Sequence, residues 1–367
     1  MLIDLICDWF SYCEMIIARF LIAVLSLCIG LNANAQKKVE KTQPKPNIKQ
    51  PAKAKTKFFG KKEVRFLNTS MPLVGEIQKL EKEDIQYDLP DAVVDQNGHT
   101  LVAHLTWNGK EDRLVLSKET EEGLVELPGL FAKGILHQPS MSIDGEENLW
   151  VFWGSTQKDT TVDVMARSWS HTKGLGKPLK IADSKAAEAF VDTGTDSKGR
   201  VWSTWQSMRA GEADVFARFY DPAKQNWSEE IPVATKKGGD WAPSIAFDKQ
   251  GNAWIAYDSS RGNEFNIYLA KVEGNGKVTE YPIGHSSRYE ARAFISATLE
   301  GDGFWITSER GKEKHGLDYR GHGNDTGINA QKRIMFGKFT IKSEKFTEIP
   351  LGPAGEAGLP VKRPMVG

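Results

Sequence analysis

The sequence predicts an all-β fold, a β-propeller built of four-stranded antiparallel blades. Three observations predict it. An Asp-to-Trp spacing of six recurs, from Asp144 to Trp150, Asp196 to Trp202 and Asp248 to Trp254, and successive copies stand 52 residues apart. Between the copies, short runs of alternating apolar and polar residues are divided by Asp, Gly and Asn turns, which is hairpin chemistry. No window after residue 62 carries a sustained helical period. Four short strands in each unit of ~50 residues, repeated radially, make a propeller.

Each element of the unit has its own signal. Asp-x-x-Gly reads as the tight turn between the first two strands. It is intact at Asp95, Asp196 and Asp248, whereas after Asp144 the glycine follows directly, as Gly145. The turn aspartate is expected to cap backbone N–H groups rather than bind a metal. The tryptophan that opens the second strand is expected to pack between neighbouring blades. A second aromatic follows three residues on (Trp153, Trp205, Tyr257), then a serine (Ser155, Ser207, Ser259). The third strand spans 163–167, 214–218 and 266–270, and an edge strand such as 230–234 closes the unit. Upstream, Asp95 leads to Leu101 in place of tryptophan. Downstream, Gly301-Asp302-Gly303-Phe304-Trp305 is a degenerate fifth copy. Five blades fit within 63–352. Residues 353–367 read as the start of a further blade on a truncated chain.

The N-terminus reads as an export signal. Arg19, an apolar stretch from Phe20 to Ile29 and Ala33-Asn34-Ala35 have the order of a secretory signal peptide spanning 1–35, with Met15 as the true start. The apolar core is shorter than the ~20 residues of a spanning helix. All three cysteines, Cys7, Cys13 and Cys28, lie in this segment, so the body has no disulfide, thiolate metal site or cysteine nucleophile. Residues 36–62 are rich in Lys, Pro and Gln and form an extended linker.

Composition excludes several classes. A chain of 367 residues with 40% hydrophobic and 26% charged side chains is neither disordered nor a multi-span membrane protein. Its 48 basic and 48 acidic side chains cancel only in sum. The basic charge gathers in 36–65 and the body is mildly acidic, so no broad basic face for nucleic acid is indicated. The expected location is secreted or periplasmic, with no membrane span in the mature protein and no cofactor.

Candidate site residues follow from the blade count. The loops that enter the innermost strands gather at one end of the central channel, where propeller sites form. Counting back from each turn aspartate places Asp88, His137, Glu188, Asp240 and Trp241 there, joined in the fifth unit by Arg288, Tyr289, Glu290 and Arg292. Acids, arginines and aromatics on one rim suit an extracellular glycan or a small polar ligand. A long insertion at 310–325 carries His315, Asp318 and His322, whose spacing matches no metal signature.

An alternative is a sialidase-like glycoside hydrolase, with Glu290, Asp240 and Glu188 as candidate catalytic acids. Glycosidases need paired carboxyl groups at the scissile bond. Sialidase repeats, however, place aspartate and tryptophan five apart, against six here, and no Gly-x-Ser-x-Gly elbow suggests a serine hydrolase.

Three segments together carry a resemblance: Trp202-Ser203-Thr204-Trp205-Gln206-Ser207, Tyr257-Asp258-Ser259-Ser260-Arg261-Gly262-Asn263, and Arg288-Tyr289-Glu290-Ala291-Arg292 followed by Trp305. Over roughly 85–350 the chain resembles the N-terminal propeller of a group of large secreted bacterial proteins. In that group the propeller precedes a C-terminal domain of uncharacterised function, similar to PHP-type metal-dependent phosphoesterases. The resemblance implies export, a binding or scaffold role, and the chain's own missing C-terminal domain as a partner. No PHP-like metal motif is present, so no catalytic residue carries over.

Overall fold

Each repeat unit folds as one antiparallel sheet. The computed structural model describes residues 86–350 apart from 122, 130, 157–160, 183, 262–264, 285–289 and 312–332. The expected signal peptide, the linker, the start of a further blade and the His315 insertion lie outside these residues.

Blade 1 comprises β1 (Gln86–Val94), β2 (Thr100–Trp107), β3 (Asp112–Thr120), β4 (Gly123–Glu126) and the short β5 (Ala132–Gly134). Blade 2 comprises β6 (Leu136–Ile143), β7 (Leu149–Thr156), β8 (Val162–Ser170) and the outer pieces β9 (Gly174–Leu175) and β10 (Leu179–Lys180). Blade 3 comprises β11 (Glu188–Thr195), β12 (Val201–Ser207), β13 (Asp214–Asp221), β14 (Asn226–Trp227) and β15 (Ile231–Ala234). Blade 4 comprises β16 (Asp240–Phe247), β17 (Ala253–Ser259), β18 (Asn266–Val272) and β19 (Val278–Pro282). Blade 5 comprises β20 (Glu290–Ala297), β21 (Gly303–Arg310), β22 (Arg333–Thr340) and β23 (Lys345–Glu348). In every sheet the first three strands pair in sequence order and the outer strands pair with the third, and the first strands β1, β6, β11, β16 and β20 pack side by side as the inner wall. This is the five-bladed propeller that the repeat predicts.

The core lies between blades. Strands covered on both faces are buried throughout: β12 and β17 are buried at every position, polar Ser203, Thr204 and Ser207 included. Alternate residues of a second strand then serve different boundaries. Leu149, Val151 and Trp153 pack toward blade 1, while Trp150 and Phe152 pack toward blade 3. Each tryptophan that opens a second strand meets aromatics of the next blade: Trp150 lies 4.7 Å from Tyr220, Trp202 6.3 Å from Phe247 and Trp254 5.2 Å from Phe304. A buried aromatic of this kind contributes roughly 2–3 kcal/mol by burial alone.

The turns are built on their aspartates. Oδ1 of Asp196 accepts the N–H groups of Lys198 and Arg200 at 2.9 and 3.1 Å, and Asp95, Asp144 and Asp248 do the same for the second and fourth residues after them. Gly98, Gly199 and Gly251 take the left-handed conformation that the turn requires. In blade 2 Glu147 takes it instead, at φ 63°. Gly145 meets a different need: a Cβ there would sit 3.0 Å from Cα of Gly199 in the next blade's turn.

Candidate functional site

Every inner strand begins on a β-bulge. The ladder to the second strand slips between Asp88 and Asp91, His137 and Ser140, Ala189 and Asp192, Trp241 and Ser244, and Ala291 and Phe294. Within the bulge Leu89, Phe190, Ala242 and Arg292 hold left-handed backbone, with φ between 48° and 59°. Such residues cost of order 1–3 kcal/mol each and tend to gather at sites. Bulges re-aim side chains, and the effect is visible in exposure. Asp88, His137, Gln138, Phe190, Trp241 and Arg292 are half-exposed on the five bulges, at the end of the channel where the inner strands enter.

Of the residues expected on the rim, Asp88, His137, Trp241 and Arg292 therefore stand on the bulges. Arg288 and Tyr289 lie outside the described residues. Glu188, Asp240 and Glu290 stand one position earlier than the bulge pair and are 0% exposed. Each pairs with an arginine at the end of the second strand: Arg209 Nη2 to Glu188 at 3.2 Å, Arg261 Nη2 to Asp240 at 3.3 Å, and Arg310 Nε to Glu290 at 2.7 Å. Each arginine then reaches a glutamate near or on the outer strand: Glu230 at 2.5 Å, Glu280 at 2.8 Å and Glu348 at 2.9 Å. The second aromatics complete the arrangement. Trp205 Nε1 donates to Glu188 Oε2 at 2.6 Å, and the Tyr257 hydroxyl donates to Glu280 at 2.5 Å. Burial pushes the Glu188 and Asp240 carboxyls above the usual range, against the pull of their arginines. In each of three blades an acid–arginine–acid chain thus ties the inner edge to the outer edge.

The open side of the rim has different chemistry. The Trp241 ring stacks on Phe265, with centroids 5.6 Å apart and planes at 17°. Between blades 1 and 2, Asp112 lies within electrostatic reach of both Asp88 and His137. Burial raises the Asp88 carboxyl, the Leu89 N–H at 2.8 Å lowers it, and Asp112 raises it again. Burial lowers His137, Asp112 opposes that, and its Nε2 lies 2.8 Å from Thr156 Oγ1. Between blades 4 and 5, Asp258 accepts the N–H groups of Arg292 at 2.7 Å and Ala293 at 3.2 Å, while the Arg292 guanidinium meets Glu309 at 3.1 Å. Burial pushes Asp258 up to about 7, the two N–H groups and Arg292 oppose it, and Glu309 adds to it.

Other cross-blade bonds hold the rim in register. Asp91 accepts the Met141 N–H at 2.7 Å, and Asp192 accepts the Ile245 N–H at 2.9 Å. Phe190, Asp112, Asp258 and Glu309 escape the sequence reading, which counts back only from turn aspartates. Aligning the bulges would have exposed Phe190, because it stands at the position of Arg292. Among the described residues no group of three or more His, Cys, Asp or Glu could hold a metal ion, and no helix is long and apolar enough to cross a membrane.

No known protein family and no curated protein matches the chain. Solved structures do, at low identity. A protein of unknown function from Dyadobacter fermentans shares 10% identity at a TM-score of 0.48, over 71% of this chain and 92% of the other. The Hadza microbial sialidase Hz136 shares 12% at 0.46, over 71% of this chain and 57% of its own, so this chain spans little more than half the sialidase. An α-L-arabinanase from Penicillium chrysogenum, solved with arabinobiose, shares 13% at 0.46, over 71% and 80%. These likenesses concern the backbone alone.

Proposed function

We propose that this chain is an exported propeller that binds a glycan or a similar hydroxyl-rich ligand on the bulge rim. The observation that carries the reading is the half-exposed Trp241 stacked on Phe265, on the same rim as Asp88, His137 and Arg292. An aromatic face takes the C–H face of a sugar ring, and charged groups around it bond the hydroxyls. The signal-like segment 1–35 supports export, and the resemblance to propellers that precede a PHP-like domain supports a scaffold role beside such a domain.

Binding is favoured over hydrolysis for a physical reason. Glu188, Asp240 and Glu290 are enclosed and held by arginines, whereas a retaining glycosidase needs two carboxyls about 5 Å apart facing the scissile bond. The test is a glycan array, followed by calorimetry on the best ligand. Trp241→Ala is expected to weaken binding about tenfold, the loss of roughly 1.4 kcal/mol, with the melting temperature unchanged. Turnover of a chromogenic glycoside by the wild-type chain would overturn the reading in favour of a hydrolase.

A further inference from the structure

The rim presents aromatic faces on three blades. Gln86, which starts β1, pairs with Trp107 at the end of β2, so Trp107 stands at the end of the channel where the inner strands enter. β2 runs against β3 without a bulge, and its side chains alternate. Trp107 therefore follows Leu101, Ala103 and Leu105 on the face toward blade 2. It lies past the end of that core, is 39% exposed, and is the most exposed aromatic among the described residues. Phe190 stands half-exposed on the bulge of blade 3, and Trp241 on that of blade 4. The Trp241 platform is fixed from below: a Cβ on Gly239 would lie 2.6 Å from its ring, so glycine lets the indole rest on the backbone. Stacked sheets stand about 10 Å apart, so aromatics on different blades are separate platforms for separate sugar rings.

The charges beside these faces select the ligand. Asp88 accepts the Leu89 N–H at 2.8 Å, and Asp112, the cross-strand partner of Trp107, accepts the Leu136 N–H at 3.0 Å. Among the described residues no lysine or arginine pairs with either carboxylate. Each keeps lone pairs for hydroxyl donors and repels an anion. The arginines at this end are occupied: Arg209, Arg261, Arg292 and Arg310 bond Glu230, Glu280, Glu309 and Glu348. A neutral ligand with many hydroxyls fits this balance, and a sulfated or carboxylated one does not.

We propose that Trp107, Phe190 and Trp241 are successive platforms for one linear, neutral glycan lying across the rim, with Asp88 and Asp112 accepting its hydroxyls. Resting on the binding role proposed above, this track narrows the ligand to chains of several sugar units. Cello-oligosaccharides are the apt probe, because their equatorial hydroxyls leave both C–H faces of every ring free to stack on an aromatic face.

Calorimetry on the full chain with cellobiose, cellohexaose and hexagalacturonate tests the track. Cellohexaose is expected to bind about tenfold tighter than either of the others. Trp107→Ala is expected to weaken cellohexaose roughly fivefold at an unchanged melting temperature, while Trp107→Phe, which keeps an aromatic face, stays near wild type. Equal affinity for cellobiose and cellohexaose, or cellohexaose binding indifferent to Trp107→Ala, overturns the track. Loss of that same binding in Trp241→Ala would then leave the single-platform role standing without it. Tighter binding of hexagalacturonate overturns the neutral assignment. Failure to bind cellohexaose overturns the track, and failure to bind every glycan on the array removes the binding role as well. A dimer that Trp107→Ala converts to a monomer in light scattering, with no saccharide bound, would give this face to a second copy of the chain instead.

Discussion

The indole N–H of Trp202 donates to Oδ2 of Asp196 over 2.9 Å, and the same bond joins Trp150 to Asp144 and Trp254 to Asp248, each at 3.0 Å. One carboxylate therefore closes a turn with Oδ1 and orients a blade-filling tryptophan with Oδ2. The six-residue spacing in the sequence is the span of that bond. It also explains why buried indoles are tolerated between blades, since each N–H has a partner.

Removing the shared carboxylate should cost more where it holds an indole. Asp196→Ala leaves two turn N–H groups and the Trp202 N–H without an acceptor, and the buried Arg200 with the Gly251 carbonyl but no carboxylate. A loss of about 2–4 kcal/mol is expected. Asp95→Ala should cost about 1 kcal/mol, because Leu101 stands where the indole would be. Urea unfolding of both variants is the measurement, and equal losses would contradict this role for the indole bond.

The acid–arginine–acid chains give a second expectation. Arg209→Met strands the fully buried Glu188 carboxylate and should cost about 3–5 kcal/mol, as for other broken buried pairs. Adding Glu188→Gln removes the stranded charge and should restore part of the loss. A double-mutant cycle by thermal unfolding reads the coupling. Additive single effects would mean that the pair acts as two independent surface groups.

Much of this fold is legible in the sequence because the repeat is carried by local bonds. Asp196, Trp202 and Gly199 lie within seven residues of one another, so the turn and its tryptophan announce themselves. The rim is less legible. Whether Glu188 or its neighbours Ala189 and Phe190 reach the open side depends on a bulge, and one residue of register moves a side chain to the other face. Counting from Asp196 finds the right strand end but has no means of seeing the slip between Ala189 and Asp192. Asp258 and Glu309 stay hidden for another reason: their partners are backbone or side-chain groups 17 to 35 residues away.

Acidity should act on the boundary between blades 4 and 5. Asp258 is raised from 3.8 to about 7 by burial, so its proton is bound more tightly in the folded chain. Its contribution is most favourable below the unfolded value and is lost as pH rises from about 4 to 7, by at most about 4 kcal/mol. His104 works in the opposite sense. Burial lowers it from 6.5 to about 4, so its contribution is lost as pH falls through that window. The useful quantity is therefore the difference between wild type and Asp258→Asn. Wild type should gain stability relative to the variant as pH falls from 7.5 to 5. Parallel curves of melting temperature against pH would show that Asp258 does not titrate there.

The turn of blade 2 predicts a stabilising change. Glu147 is exposed and held at φ 63°, where Gly98, Gly199 and Gly251 stand in the other blades. A left-handed non-glycine residue costs roughly 1–2 kcal/mol, against roughly 0.5–1 kcal/mol of extra chain entropy for glycine. Glu147→Gly should therefore gain about 0.5–1 kcal/mol and raise the melting temperature by about 1–3 °C. Gly199→Ala should do the reverse. It adds a Cβ 2.7 Å from Cα of Gly145 at φ 75°, and backbone cannot give way as a side-chain tip would. A loss of about 2 kcal/mol or more is expected, concentrated at the boundary of blades 2 and 3, where the Gly145 N–H donates to the Gly199 carbonyl at 2.9 Å. Hydrogen exchange at the Gly145 amide separates this local loosening from a global loss of stability, because only the former speeds exchange there without moving the amides of blade 4.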